Sequence, residues 1–145
     1  MSLRGNEQVS GTFGKFYWNG LLIAEVEAFE AKVVAKREEV QIDMDVDSKI
    51  SGFSGEGTFT LKKFFTRGKD EMLEAWKKGE DPRAKFVSKV KDPNTKGKQA
   101  EAVTIDNVWF NELVLMQFEK GTPSKEEFSF GFTPSDASFV DTIAA

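Results

Sequence analysis

Residues 39 to 47 read Glu-Val-Gln-Ile-Asp-Met-Asp-Val-Asp, and they alternate without a slip. Val40, Ile42, Met44 and Val46 fall on one side of an extended chain; Glu39, Gln41, Asp43, Asp45 and Asp47 fall on the other. Period-two alternation marks a half-buried β-strand, because successive side chains point to opposite faces. Counted from Glu38, the run predicts one strand of about ten residues, roughly 33 Å long, where five or six residues are usual. A small domain has little core to cover such an element. The reading is therefore of a strand that reaches a neighbour.

On the N-terminal side, Thr12 to Trp18 predicts a strand, and Asn19-Gly20 predicts a hairpin turn because both residues tolerate positive φ. The apolar positions that follow shift phase between Ala28 and Phe29, which predicts a β-bulge there. On the C-terminal side, residues 48 to 57 are rich in Gly and Ser and predict a mobile loop, so that 38 to 57 reads as a projecting hairpin or loop. Thr58 to Phe65 returns as a strand.

Met72, Leu73 and Trp76 then mark one side of a helix over 69 to 78, with Gly79 at its C-cap and Pro82 beyond its end. Arg83 to Lys91 alternates again. Residues 92 to 97 carry turn chemistry. Ala100 to Phe110 and Leu113 to Glu119 predict a hairpin, and Phe128, Phe130 and Phe132 a last strand. Val108, Trp109, Phe110, Met116 and Phe118 read as core, and Phe139, Val140 and Ile143 as a tail able to dock. The sum is one domain over 1 to 145 with a loosely ordered arm at 1 to 10. Its class is mainly β: an antiparallel sandwich or barrel of about seven or eight strands with one short helix.

The chain of 145 residues has no Cys and no His. Disulfides, thiol nucleophiles, Cys/His zinc sites and histidine triads are excluded. Absent Cys suits a reducing cytosol, and the opening residues lack the apolar region of a signal peptide. With 24 acidic and 20 basic residues the net charge is −4, which speaks against nucleic acid as a bound ligand. Asp43, Asp45 and Asp47 begin like a calcium loop, but Ser48 and Ser54 stand where that loop needs Gly and Glu. Gly52, Gly55 and Gly57 lead into a strand, not into the helix a phosphate loop requires. No carboxylate pair stands out among so many. Neither an enzyme nor a cofactor, catalytic or metal site is expected.

Two charged rows remain. The acidic row is Glu39, Asp43, Asp45 and Asp47; the basic row is Arg83, Lys85, Lys89 and Lys91. They could face each other across a contact between copies, where opposite charges set register more than affinity.

Several short stretches, in order, resemble one family. They are Ser10-Gly11-Thr12-Phe13-Gly14, Trp18-Asn19-Gly20, the run Ala24 to Ala31, Gly52 to Thr58, Lys78 to Arg83, Asp92-Pro93 before Gly97, and Glu126 to Phe130. Together, over residues 9 to 140, they resemble phage-like tail tube proteins, with the core tail protein of PBSX-type defective prophages as the nearest group. The resemblance implies copies that form six-membered rings, stacked into a hollow tube inside a contractile sheath. It implies sheath, baseplate and terminator proteins as partners, DNA only as passing cargo, no membrane, and assembly in the bacterial cytoplasm. Under that reading the acidic row lines either the channel or an interface. A secretion-tube ring protein of the same fold type and a small β-sandwich binding module are the alternatives.

Overall fold

Asn19 and Gly20 take positive φ, 51° and 83°. They turn β1 (Gly14–Trp18) into the short β2 (Leu21–Leu22), with Trp18 opposite Leu21. The structure, a computed structural model, describes residues 3–66 and 68–144. The other strands and the α-helix are β3 (Val26–Ile42), β4 (Asp45–Lys62), α1 (Lys69–Lys77), β5 (Ala84–Val90), β6 (Glu101–Phe110), β7 (Lys125–Phe132) and β8 (Ala137–Asp141). The protein is mainly antiparallel β, as its alternations predict. The strands join edge to edge in the order β2-β1-β5-β6-β7-β4-β3.

That sheet folds back on itself. Phe16 of β1 lies 5.0 Å from Phe29 of β3 and 4.8 Å from Phe59 of β4, although β5, β6 and β7 separate β1 from β4 in the order. Phe86 from β5 meets Phe130 from β7 at 5.0 Å, and Phe59 stacks on Phe128 at 4.8 Å. The alternating Phe positions thus supply both inner faces of one aromatic core. The fold turns at β6. Along one edge of β6, Ala102 to Ile105 pair with β8 and Trp109-Phe110 pair with β7, so two strands share that edge in tandem.

The 39–47 stretch is not one strand. β3 ends at Ile42, Asp43 takes φ 52°, and β4 begins at Asp45. Ile42 pairs with Asp45, Gln41 with Val46, and Val40 with Asp47. Directly opposed residues share a face. A two-residue turn therefore puts Asp45 beside Ile42, where unbroken alternation would put them on opposite sides. Residues 48 to 57 are also strand, not loop, within the 18 residues of β4. The bulge predicted at 28–29 is a register shift between Val26 and Ala28, and a second falls between Lys36 and Arg37.

The glycines of β4 are there for close packing. Gly55 and Gly57 sit directly opposite Phe132 and Phe130 of β7. A methyl group on Gly57 would overlap the Glu30 carbonyl and the Phe130 ring. Gly57→Ala should therefore lower unfolding free energy by about 1–3 kcal/mol, the usual cost of overpacking, read from the midpoint of a urea titration. An unchanged midpoint would mean that ring and backbone move aside freely.

The helix matches its prediction closely. Met72 is buried, Trp76 packs against the core, and Gly79 (φ 78°) donates its N–H to the Trp76 carbonyl at 3.0 Å. Leu113 to Glu119 departs from prediction and forms no strand. β7 occupies the edge of β6 that such a hairpin would need. Met116 and Phe118 are consequently exposed, whereas Val108 and Phe110 are buried as expected. The tail docks by backbone rather than by side chain: β8 pairs with β6, yet Phe139 and Val140 face solvent. Gln99 holds the last described residue from both sides, accepting from the Ala144 N–H at 2.9 Å and donating to its carbonyl at 3.2 Å.

Candidate functional site

β7 supports β4 only from Gly55 to Lys62. From Ser54 to the turn at Asp43-Met44, β4 has β3 alone beside it, a ribbon of about ten residues per arm and roughly 33 Å. Val34, Val40, Ile42, Val46, Ile50 and Phe53 on this ribbon are all exposed, and Met44 at its tip is 97% exposed. A two-stranded ribbon is marginal on its own in water. Both of its outer edges also present unpaired backbone groups, the usual template for another strand. Partway along, Ser51 is the extra residue of the second register shift, and its Oγ donates to the Lys36 carbonyl at 3.2 Å.

The turn divides the acidic row. Glu39 shares a face with Gln41 and Val46; Asp45 and Asp47 share the other with Val40 and Ile42; Asp43 stands at the turn itself. Among the described residues no group of carboxylates is placed to hold a metal ion.

The basic row is divided too. Arg83 precedes β5 and is engaged three ways: Nη2 lies 2.7 Å from Asp81, Nη1 donates to the Asn107 carbonyl at 3.4 Å, and the guanidinium sits 4.9 Å over the Trp109 ring. Lys85 lies 3.9 Å from Asp106. Lys89 instead faces Lys15 of β1 directly, and Lys91 lies just beyond. No ion pair joins the two rows within one chain among the described residues. Lys15 has no local sequence signal; only the β1–β5 register brings it to the row.

Sequence reasoning also missed a buried ion cluster. Glu126 of β7 and Lys69 of α1 are both nearly fully buried, with Lys69 Nζ 2.6 Å and Lys63 Nζ 2.8 Å from the same carboxylate oxygen. Lys69 Nζ also donates to the carbonyls of Val114 and Leu115 at 3.2 and 3.4 Å, which ties the irregular 111–124 segment to the helix. Burial pushes the Glu126 carboxyl up, but hydrogen bonds from Lys63 and Lys69 and their positive charges outweigh it and hold the group below its ordinary value. This is a structural cross-link between elements. Both lysines meet the carboxylate at the same oxygen, Oε1.

Comparison with known proteins gives the family. Residues 1–141 match the family described as phage tail tube protein. The sequence is similar to the phage-like element PBSX protein XkdM of Bacillus subtilis (strain 168), 29% identical over 139 residues that cover 94% of either chain. It is similar at the same identity and coverage to protein YqbM of that strain. Among solved structures, the tube-terminating cap of the anti-feeding prophage shares the fold with a TM-score of 0.72 at 5% identity, over 98% of this chain and 95% of that one. A chain of the extended sheath–tube complex of the PVC extracellular contractile injection system does so at 0.67 and 7% identity, over 92% of each. At such identities the likeness is one of fold, whereas the family match is one of sequence and runs nearly end to end. The chain belongs to the phage tail tube protein family.

Proposed function

We propose that this chain is a structural subunit with no catalytic step, whose copies close into six-membered rings that stack into a hollow tube. The observation that carries this reading is the ribbon beyond Gly55, which has neither a third strand nor a covered face among the described residues of its own chain. Neighbouring copies would supply both. Among the described residues the outer edge of β3 pairs with no strand, since β3 ends the sheet order. Closing such edges around a ring removes the aggregation hazard that they pose.

Six copies at −4 each would carry −24 per ring. DNA would pass such a ring as cargo without binding, because phosphates need cations to displace their counterions. Sheath, baseplate and terminator proteins are the partners of this reading, with assembly in the bacterial cytoplasm.

Negative-stain microscopy of the concentrated protein, paired with sedimentation velocity, tests it. Rings or tubes are expected; a lasting monomer would overturn the reading. The likeness to a tube-terminating cap favours a second reading, in which this chain closes a tube instead of extending it. Single rings that never stack would select that one.

A further inference from the structure

Three lysines on the outer face of β1 and β5 and just beyond β5 have no ion-pair partner among the described residues. Lys15 and Lys89 are directly opposed across the β1–β5 ladder. Like charges in that position repel. Lys91 follows two residues on, and with Tyr17 and Thr12 these lysines line a cleft of about 450 Å³. None of the three takes part in an ion pair among the described residues. The nearest acid in sequence, Asp92, is buried, and its carboxylate accepts from the Asn94 N–H in its own turn and from the Ser10 N–H of the N-terminal segment. Asp141 of β8 lies two strands from Lys89, about 10 Å at the usual strand spacing. Glu101, opposite Val90, belongs to the alternate set of β6 positions, on the face away from Lys89.

The complementary charge stands elsewhere on the same molecule. Residues 38 to 47 hold Glu38, Glu39, Asp43, Asp45 and Asp47 and no base. None of these five is ion-paired among the described residues; Lys49 lies just below them, opposite Glu38. The hairpin carries them clear of the body on a turn only two residues wide. A narrow acidic protrusion and a lysine-lined concavity on one polypeptide fit each other when two copies meet.

We propose that the cleft of Lys15, Lys89 and Lys91 seats the carboxylate-bearing hairpin tip of a second copy. This rests on the reading that copies assemble, and it names the surface that receives the ribbon. Carboxylates entering the cleft relieve the Lys15–Lys89 repulsion, and their partners relieve the crowding of acids at the tip. The contact fixes the orientation of one copy on the next more than it adds affinity.

Because the chain has no Cys, a pair of introduced thiols reports on this contact alone. Met44→Cys places one at the tip and Thr12→Cys one at the cleft, and neither change removes a charge. Full-length chains of the two variants are mixed and oxidised, and mixed dimer is followed on a non-reducing gel. It should form at least about tenfold faster than with Lys78→Cys, just past the end of α1, in place of Thr12→Cys, since docking raises the effective concentration of the thiols. The excess should vanish in high salt and in a Lys15→Ala, Lys89→Ala background. Tubes without the mixed disulfide would overturn the docking site but leave self-assembly standing. The disulfide without rings or tubes would uphold the docking site and sink the ring reading. A disulfide indifferent to salt and to the lysines would overturn the assignment to the lysine cleft.

Discussion

Replacing Glu126 by alanine is expected to destabilise the folded chain by about 3–5 kcal/mol, the range for removing one partner of a buried pair. The carboxylate holds Lys69 at 2.6 Å and Lys63 at 2.8 Å. Without it the Lys69 ammonium stays buried with only two carbonyls, Val114 and Leu115, to solvate it. Adding Lys69→Met to Glu126→Ala should recover much of the loss, because an apolar replacement removes the stranded charge. If the double variant is no better than the single, packing and not charge explains the effect. The pH dependence follows with its sign. The folded-state pKa of Glu126 lies below its ordinary 4.5. Its contribution is therefore complete above that value and is lost as pH falls through the lower, folded-state pKa. Urea titrations across the acid range should show this loss in the wild-type chain and a shallower slope in Glu126→Gln. Equal slopes would remove Glu126 from the account of acid sensitivity.

Shortening the hairpin should abolish assembly while leaving the monomer folded. The cut must take both arms in register: removing residues 36 to 52 and bridging Ala35 to Phe53, which are directly paired, with Asn-Gly. A cut confined to 47–54 would strip one arm and strand the other. The removed segment contributes no residue to the core cluster, and the Gly55–Lys62 ladder onto β7 is untouched. Thermal unfolding should stay within a few degrees of the parent. Rings and tubes should fall below detection in the microscope at concentrations where the parent forms them. Normal tubes from the shortened chain would refute the role given to the ribbon; a collapse in melting temperature would show that the outer arms stabilise the monomer.

Much of the body can be read from residue order alone. Asn19-Gly20, the Phe128–Phe132 alternation and the helix with its Gly79 cap each carry their own local chemistry. The hairpin turn does not. Asp43-Met44 lacks the glycine of a strong turn signal, and alternation runs straight through it, so one strand and two strands joined by a tight turn look alike. Gly55 and Gly57 mislead in the other direction. They resemble loop glycines until Phe130 and Phe132 are known to lie opposite them. The 113–119 alternation fails because another strand already occupies the only place beside β6, a fact of topology. The charged rows were legible as composition, but the pairing of Lys15 with Lys89 depends on a register that no local pattern encodes. Family membership is carried by the order of short motifs, whereas the Lys63–Glu126–Lys69 cluster joins residues scattered along the chain.

The ladder between β4 and β7 joins Gly55–Phe132 at one end and Lys62–Lys125 at the other, parallel to the long axis of the ribbon. A pull along that axis loads all of its hydrogen bonds together in shear; a sideways pull would peel them one at a time. The anchorage is therefore strongest against tension directed outward through the tip. A subunit gripped there by its neighbour would hand axial force to its aromatic core without first unravelling.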